Sequence, residues 1–253
     1  MKWNNDIFKR YMEAGLAILI VLTLGLAGAA GVLSPRATER EQNVTAAEND
    51  STKASQENEN KTSASNPDTE ETQETIADGQ YPIMGSSNIT VQEMVDYFNA
   101  SGEVYPAEEL SEGGADSIET FCQMYYDEAT AEGVRPEVAF AQTMKETGFL
   151  QYGGDASIEQ FNFAGLGTTG NSVPGNSYPD VQTGIRAQIQ HLKAYATADA
   201  LNQECVDDRY EYVKKGSAPY VQWLGQQENP EGLGWATGDN YGYDIVGMIE
   251  EMM

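Results

Sequence analysis

Apolar positions along this chain change their spacing twice, and the changes divide it into three stretches. Between Ala14 and Leu33 they are continuous, a 20-residue run without a charge. At a 1.5 Å rise such a helix is about 30 Å long, the thickness of a bilayer's hydrocarbon core. The run predicts a transmembrane signal-anchor helix over 14–33. Lys2, Lys9 and Arg10 precede it, which assigns residues 1–13 to the cytoplasm and everything after residue 33 to the outside. A second reading is a signal peptide cleaved at the small-residue site Ala27-Gly28-Ala29, giving a secreted protein. Either way the rest of the chain is exported. The expected location is the outer face of a cell membrane, with a single pass as tether.

From residue 34 to residue 80 the apolar signal vanishes. No aromatic residue occurs between Tyr11 and Tyr81, and Ser, Thr, Asn, Gln and Glu dominate. Residues 34–80 hold 4 Lys and Arg against 11 Asp and Glu. Such a segment buries too little apolar area to offset its ordering entropy, so a disordered acidic linker is predicted. No internal repeat is present to suggest an array of binding modules.

In residues 81–253 the spacing becomes helical. Val91, Met94, Val95 and Phe98 share one face, as do Ile118, Phe121, Cys122 and Tyr125 after a possible cap at Asp116. Pro136 suits a first helical position, Val138, Ala141 and Met144 line one face after it, and Gly148 marks a stop. From Gly153 to Pro179 the periodicity breaks into Gly, Asn, Thr and Ser. It returns with Ile185, Ile189, Leu192 and Ala196, and again with Ile245, Met248 and Ile249. The pattern predicts an α+β, mostly helical domain of two lobes, the smaller one Gly-rich and weakly β, with a cleft between them.

Charge and rare residues narrow the chemistry. Residues 81–253 carry 7 Lys and Arg against 27 Asp and Glu, a net of −20. That balance argues against nucleic acid and anionic lipid as partners, because both are bound through cationic side chains. A neutral sugar polymer is compatible with it. The single histidine, His191, argues against a catalytic zinc site, and no metal or organic cofactor is implied. Cys122 and Cys205 leave a disulfide and two free thiols as open alternatives. A peptidase built from one of them with His191 needs an activated thiol, and Cys122 lies in FCQMYY, an apolar helix face.

Glu146 is the residue whose position carries chemistry. It falls in the last turn of the helix begun at Pro136, where the negative end of the helix dipole and the neighbouring Phe149 both disfavour a charged carboxylate. A carboxyl that keeps its proton near neutral pH is what a general acid requires.

Three motifs extend this. GlnThrMetLysGluThrGly (142–148) resembles the Gln-x-x-x-Glu-Ser/Thr-Gly pattern of the bacterial glucosaminidases, glycoside hydrolase family 73. FNFAGLG (161–167) resembles that family's Asn-Leu-Phe-Gly-Ile segment. GlyTrpAlaThrGlyAspAsnTyr (234–241) resembles its closing Tyr-Ala-Thr-Asp-Pro-x-Tyr element. They occur in the family's order, over roughly residues 118–250. The resemblance implies a lysozyme-like fold, the glycan strands of peptidoglycan as substrate, and Glu146 as catalytic acid. It also implies that Tyr241 meets the sugar and that Asn162 and Phe163 border the cleft.

Two departures matter. Phe149 stands where the family usually has Trp, and the loop 168–180 has no acidic residue before Asp180. The second carboxylate of a two-carboxylate glycosidase is therefore open among Asp155, Glu159 and Asp180. The substrate's own 2-acetamido oxygen is the alternative. Tyr152, Tyr178, Tyr195 and Trp235 are further candidates for stacking on sugar. The expected activity is an endo-β-N-acetylglucosaminidase. A muramidase or lytic transglycosylase of the same fold, and an inactive wall-binding module, are the alternatives.

Overall fold

The structure, a computed structural model, describes residues 79–154, 156–168 and 173–253. The expected anchor, nearly all of the expected linker, Asp155 and residues 169–172 lie outside the described residues. Among the described residues no helix is long and apolar enough to cross a membrane.

Among the described residues six α-helices follow in chain order: α1 (Val91–Ser101), α2 (Ala107–Glu112), α3 (Ile118–Glu132), α4 (Pro136–Thr147), α5 (Val181–Ala196) and α6 (Tyr241–Met252). Short 3-10 turns lie at Ile158–Gln160, Tyr210–Tyr212 and Val221–Leu224. The helix α1 starts on a capping box, in which Thr90 accepts from the Glu93 amide and Glu93 accepts from the Thr90 amide. The helix α3 is capped by Ser117, one residue later than the sequence suggests, and Asp116 instead accepts from the Thr120 hydroxyl at 3.0 Å. Pro136 occupies the first turn of α4, and Gly148 ends it in the left-handed conformation at φ 58°.

The apolar positions that define the helical spacing point inward. Met94, Val95, Phe98, Phe121, Tyr125, Val138, Met144, Ile185, Ile189, Leu192, Ile245 and Ile249 all belong to one core. Ten of the twelve residues of α4 are buried, including Glu137, Gln142, Thr143 and Thr147. A helix buried all round is the centre of its domain, and α4 packs against α3, α5 and α6. Polar side chains on such a helix must find partners inside the protein.

The domain is mostly helical, as expected. Its β content among the described residues consists of isolated bridges, Pro82 with Tyr220, Met84 with Val134 and Gly225 with Ala236, rather than strands. The reason is visible between Tyr152 and Pro179. The glycines there serve turns, with Gly165, Gly167 and Gly175 all at positive φ. A close approach fixes one end of this segment: a Cβ on Gly184 of α5 would lie 1.8 Å from the Phe161 carbonyl oxygen. Only glycine lets α5 pass so near the loop backbone.

Candidate functional site

The site is built at the C-terminal end of α4. Gln142 and Glu146 lie one turn apart, so their side chains project to the same side. Both meet Tyr241, the first residue of α6. The Gln142 Nε2 donates to the Tyr241 hydroxyl at 3.0 Å, and that hydroxyl donates to Glu146 Oε1. Behind Gln142 the Gln188 amide of α5 donates to Gln142 Oε1 at 2.9 Å and to the Ala139 carbonyl at 3.0 Å. The Gln188 Oε1 accepts from Tyr125 and Thr143, at 2.8 and 2.9 Å.

The polarity of this chain is forced. Because Gln188 donates to Gln142 Oε1, the Gln142 amide nitrogen faces Tyr241 and fills an oxygen lone pair there. The phenolic proton is left to point at the carboxyl of Glu146. Gln142, Thr143 and Gln188 are 0% exposed and Tyr241 is 1% exposed, so water does not compete for these bonds.

Glu146 itself is partly buried. Desolvation pushes its carboxyl above the usual range, and the Tyr241 hydrogen bond and the Lys145 charge pull the other way. Lys145 is committed elsewhere: its Nζ lies 2.8 Å from Asp244 Oδ2 and 5.6 Å from the centre of the Tyr241 ring. The same ion pair ties α4 to the first turn of α6. Burial and the adjacent Glu146 hold the Tyr241 hydroxyl well above its ordinary value.

The backbone just beyond Glu146 is strained. Phe149, Leu150 and Tyr152 have φ of 56°, 64° and 56°, a region that costs a non-glycine residue about 1–3 kcal/mol. Thr147 holds the turn together. Its hydroxyl donates to the Thr143 carbonyl at 2.7 Å and accepts from the Leu150 amide at 2.9 Å. Phe149 packs against Tyr97 and Phe98.

The other sequence-derived candidates occupy varied places. Asn162 is 1% exposed and its amide is spent on the loop, bonding the Leu166 amide and carbonyl and the Asn176 carbonyl. Phe163 is 1% exposed and sits edge-on to Phe121 in the core. Tyr241 is engaged through its hydroxyl, with its ring in the core. Asp180 caps α5, accepting from the Thr183 amide at 2.7 Å. Glu159 is exposed on a 3-10 turn, where Ser157 and the local backbone hold its carboxyl below the usual range. Asp155 lies outside the described residues.

Trp235 and Tyr195 are partly exposed and form a tilted pair 5.7 Å apart, with His191 edge-on to Trp235 at 4.8 Å. The His191 Nδ1 donates to Asp207 Oδ2 at 2.6 Å, so this histidine is held by a buried carboxylate. Tyr178 lines an open cavity of about 350 Å³ with Asn176, Ser177, Thr183, Val206 and Asp208. Tyr152 donates to the Asn162 carbonyl at 3.3 Å.

Both cysteines are free, Cys122 buried and Cys205 exposed. Burial raises both thiols, the opposite of the depressed thiol that a cysteine peptidase needs. Among the described residues no group of three or more His, Cys, Asp or Glu side chains could hold a metal ion.

Gln188, Asp207 and Asp244 are the partners that sequence reasoning passes over. Gln188 leaves one trace: it lies three residues after Ile185, on the apolar face of α5.

A family model described as mannosyl-glycoprotein endo-beta-N-acetylglucosaminidase matches residues 122–253, just over half of the chain. An uncharacterized protein of Borreliella burgdorferi is 44% identical over 104 residues, which are 41% of this chain and 51% of that protein. The chain thus spans about half the length of the curated relative it matches. No solved structure matches.

Proposed function

Since the chain belongs to the glucosaminidase family, we propose that it is a glycoside hydrolase cutting the glycan strands of peptidoglycan, an endo-β-N-acetylglucosaminidase with Glu146 as general acid. The observation that carries this is the partly buried Glu146 carboxyl. Desolvation raises its pKa, and the Tyr241 hydroxyl orients it.

The roles follow from the geometry. Tyr241 engages Oε1, so the neutral acid carries its proton on Oε2. That proton passes to the glycosidic oxygen as the bond to the anomeric carbon breaks. Asp180 is committed to capping α5 and Glu159 stands exposed. In the proposed route the substrate's own 2-acetamido oxygen attacks the anomeric carbon. Water then opens the resulting ring, giving its proton back to Glu146. Trp235, Tyr195 and Tyr178, partly exposed, are the aromatic faces available for sugar rings. Tyr241, Asn162 and Phe163 support the cleft from behind.

Residues 14–33 and 34–80 are read as a membrane tether and a spacer that confine the cut to wall near the membrane. An unchanged wall phenotype in cells carrying a version without residues 1–33 would count against that role.

End-group analysis of the products tests the bond assignment. Full-length chain is incubated with purified peptidoglycan, and the fragments are reduced and identified by mass spectrometry. Reducing N-acetylglucosamine ends are expected. Reducing N-acetylmuramic acid ends would move the cut to the muramidase bond, and anhydro ends would make the protein a lytic transglycosylase. No release at all would favour a wall-binding module.

A further inference from the structure

The helix α6 begins without a side-chain cap of its own. Its N-cap residue, Asn240, is left-handed at φ 59° and makes no side-chain capping bond. The amides at such a terminus have no partner within the helix. One is met from a distant turn: Glu228 Oε1 accepts from the Asn240 amide at 2.8 Å. The carboxylate thereby sits at the positive end of the α6 dipole.

The other oxygen, Oε2, is buried and has no hydrogen-bond partner. It fits over Gly225, where a Cβ would lie 2.0 Å away. Gly225 is itself pinned, bridging Ala236 and accepting from the Asn229 amide at 2.9 Å. A buried, unpaired carboxylate oxygen is costly and calls for a reason. The residue after Asn240 is Tyr241, whose hydroxyl meets Glu146.

We infer that Glu228 is a positioning residue for the acid: with its carboxylate seated over Gly225 and holding the Asn240 amide, it sets the entry of α6, and so the placement of Tyr241 on Glu146. The inference rests on reading Glu146 as the acid. The titratable groups around the pair are Lys145 on α4, Asp244 on α6 and Tyr195 on α5. Glu228 works through the backbone rather than through its charge on Glu146. Its conservative replacement, Glu228→Gln, retains an oxygen acceptor for Asn240.

The test follows the Glu146 carboxyl titration by carbon NMR in the full chain, assigned by its loss in Glu146→Gln, beside kcat on peptidoglycan. Three variants are compared: Glu228→Ala, Glu228→Gln and Gly225→Ala. The last leaves the carboxylate in the chain but displaces it from its seat. Glu228→Ala and Gly225→Ala are expected to raise the Glu146 pKa and lower kcat by up to about 10²-fold, the scale of a catalytic group misplaced by an ångström. KM should hardly change, and Glu228→Gln should behave as wild type. In a Tyr241→Phe background neither variant should move the titration further.

Should Gly225→Ala and Glu228→Ala both titrate as wild type while Tyr241→Phe shifts, Glu228 does not position the acid. An undiminished shift in the Tyr241→Phe background would equally overturn the inference. If wild type releases nothing from peptidoglycan, the functional reading fails instead, and the titration still decides whether Glu228 and Glu146 are coupled.

Discussion

The hydroxyl of Tyr241 donates to the carboxyl of Glu146 across 95 residues of sequence, joining the first residue of α6 to the last turn of α4. This bond is the front of a buried chain that runs back through Gln142 and Gln188. Its effect on Glu146 opposes that of burial. Desolvation favours the protonated acid, and the phenol stabilises the anion left after the proton has gone.

Replacing Tyr241 with Phe should therefore change the pH profile in a defined direction. As the proposed general acid, Glu146 would be active while protonated, so kcat should fall as pH rises through its pKa. Removing the phenol takes away a bond to the charged form, which raises that pKa. The alkaline limb of the kcat profile should move to higher pH. The plateau should drop by up to about 10²-fold as the carboxyl loses its orientation. A limb moving to lower pH would mean that the phenol does not donate to the carboxylate.

Stability should report the same environment. A carboxyl whose folded pKa is raised contributes stability that is full below the unfolded pKa and is lost as pH rises through the folded one. Glu146→Gln removes that loss. The variant should match wild type near pH 3 and melt at higher temperature near pH 7. Each kcal/mol gained raises Tm by about 2–4 °C for a domain of this size. Calorimetry at the two pH values checks the difference. A variant less stable at pH 7 would show that burial does not penalise the charge.

Gly184→Ala tests the seat of the Gly-rich loop. The added Cβ would meet the Phe161 carbonyl oxygen at 1.8 Å. Neither partner yields easily, since both are backbone in a packed region. A loss of about 1–3 kcal/mol is expected from overpacking of this kind, measured by urea unfolding. Ser at the same position should cost as much, because the clash begins at Cβ.

The helices of this domain are legible in the sequence because their apolar faces repeat regularly, and α4 because Pro136 and Gly148 mark its ends. The place of Glu146 in the last turn of α4, just before Gly148, is legible in the same way. The roles of Asn162, Phe163 and Tyr241 are harder to read, because a sequence motif does not say which way a side chain faces. Asn162 locks its own loop, and Tyr241 presents a hydroxyl rather than a ring face. The relay behind Glu146 escapes a sequence reading for a related reason. A glutamine such as Gln188 on an apolar face is meaningful only once Gln142, Thr143 and Tyr125 are brought around it. The weakly β lobe is expected from Gly and Thr content, but in the described part those glycines adopt turn conformations instead.

The central claim is that Glu146 supplies the proton. Full-length wild type and Glu146→Gln, matched for folding by circular dichroism, are incubated with purified peptidoglycan, and new reducing ends are counted over time. Loss of a general acid should slow the reaction by about 10²- to 10⁴-fold in the variant. Release by Glu146→Gln at the wild-type rate would contradict the account.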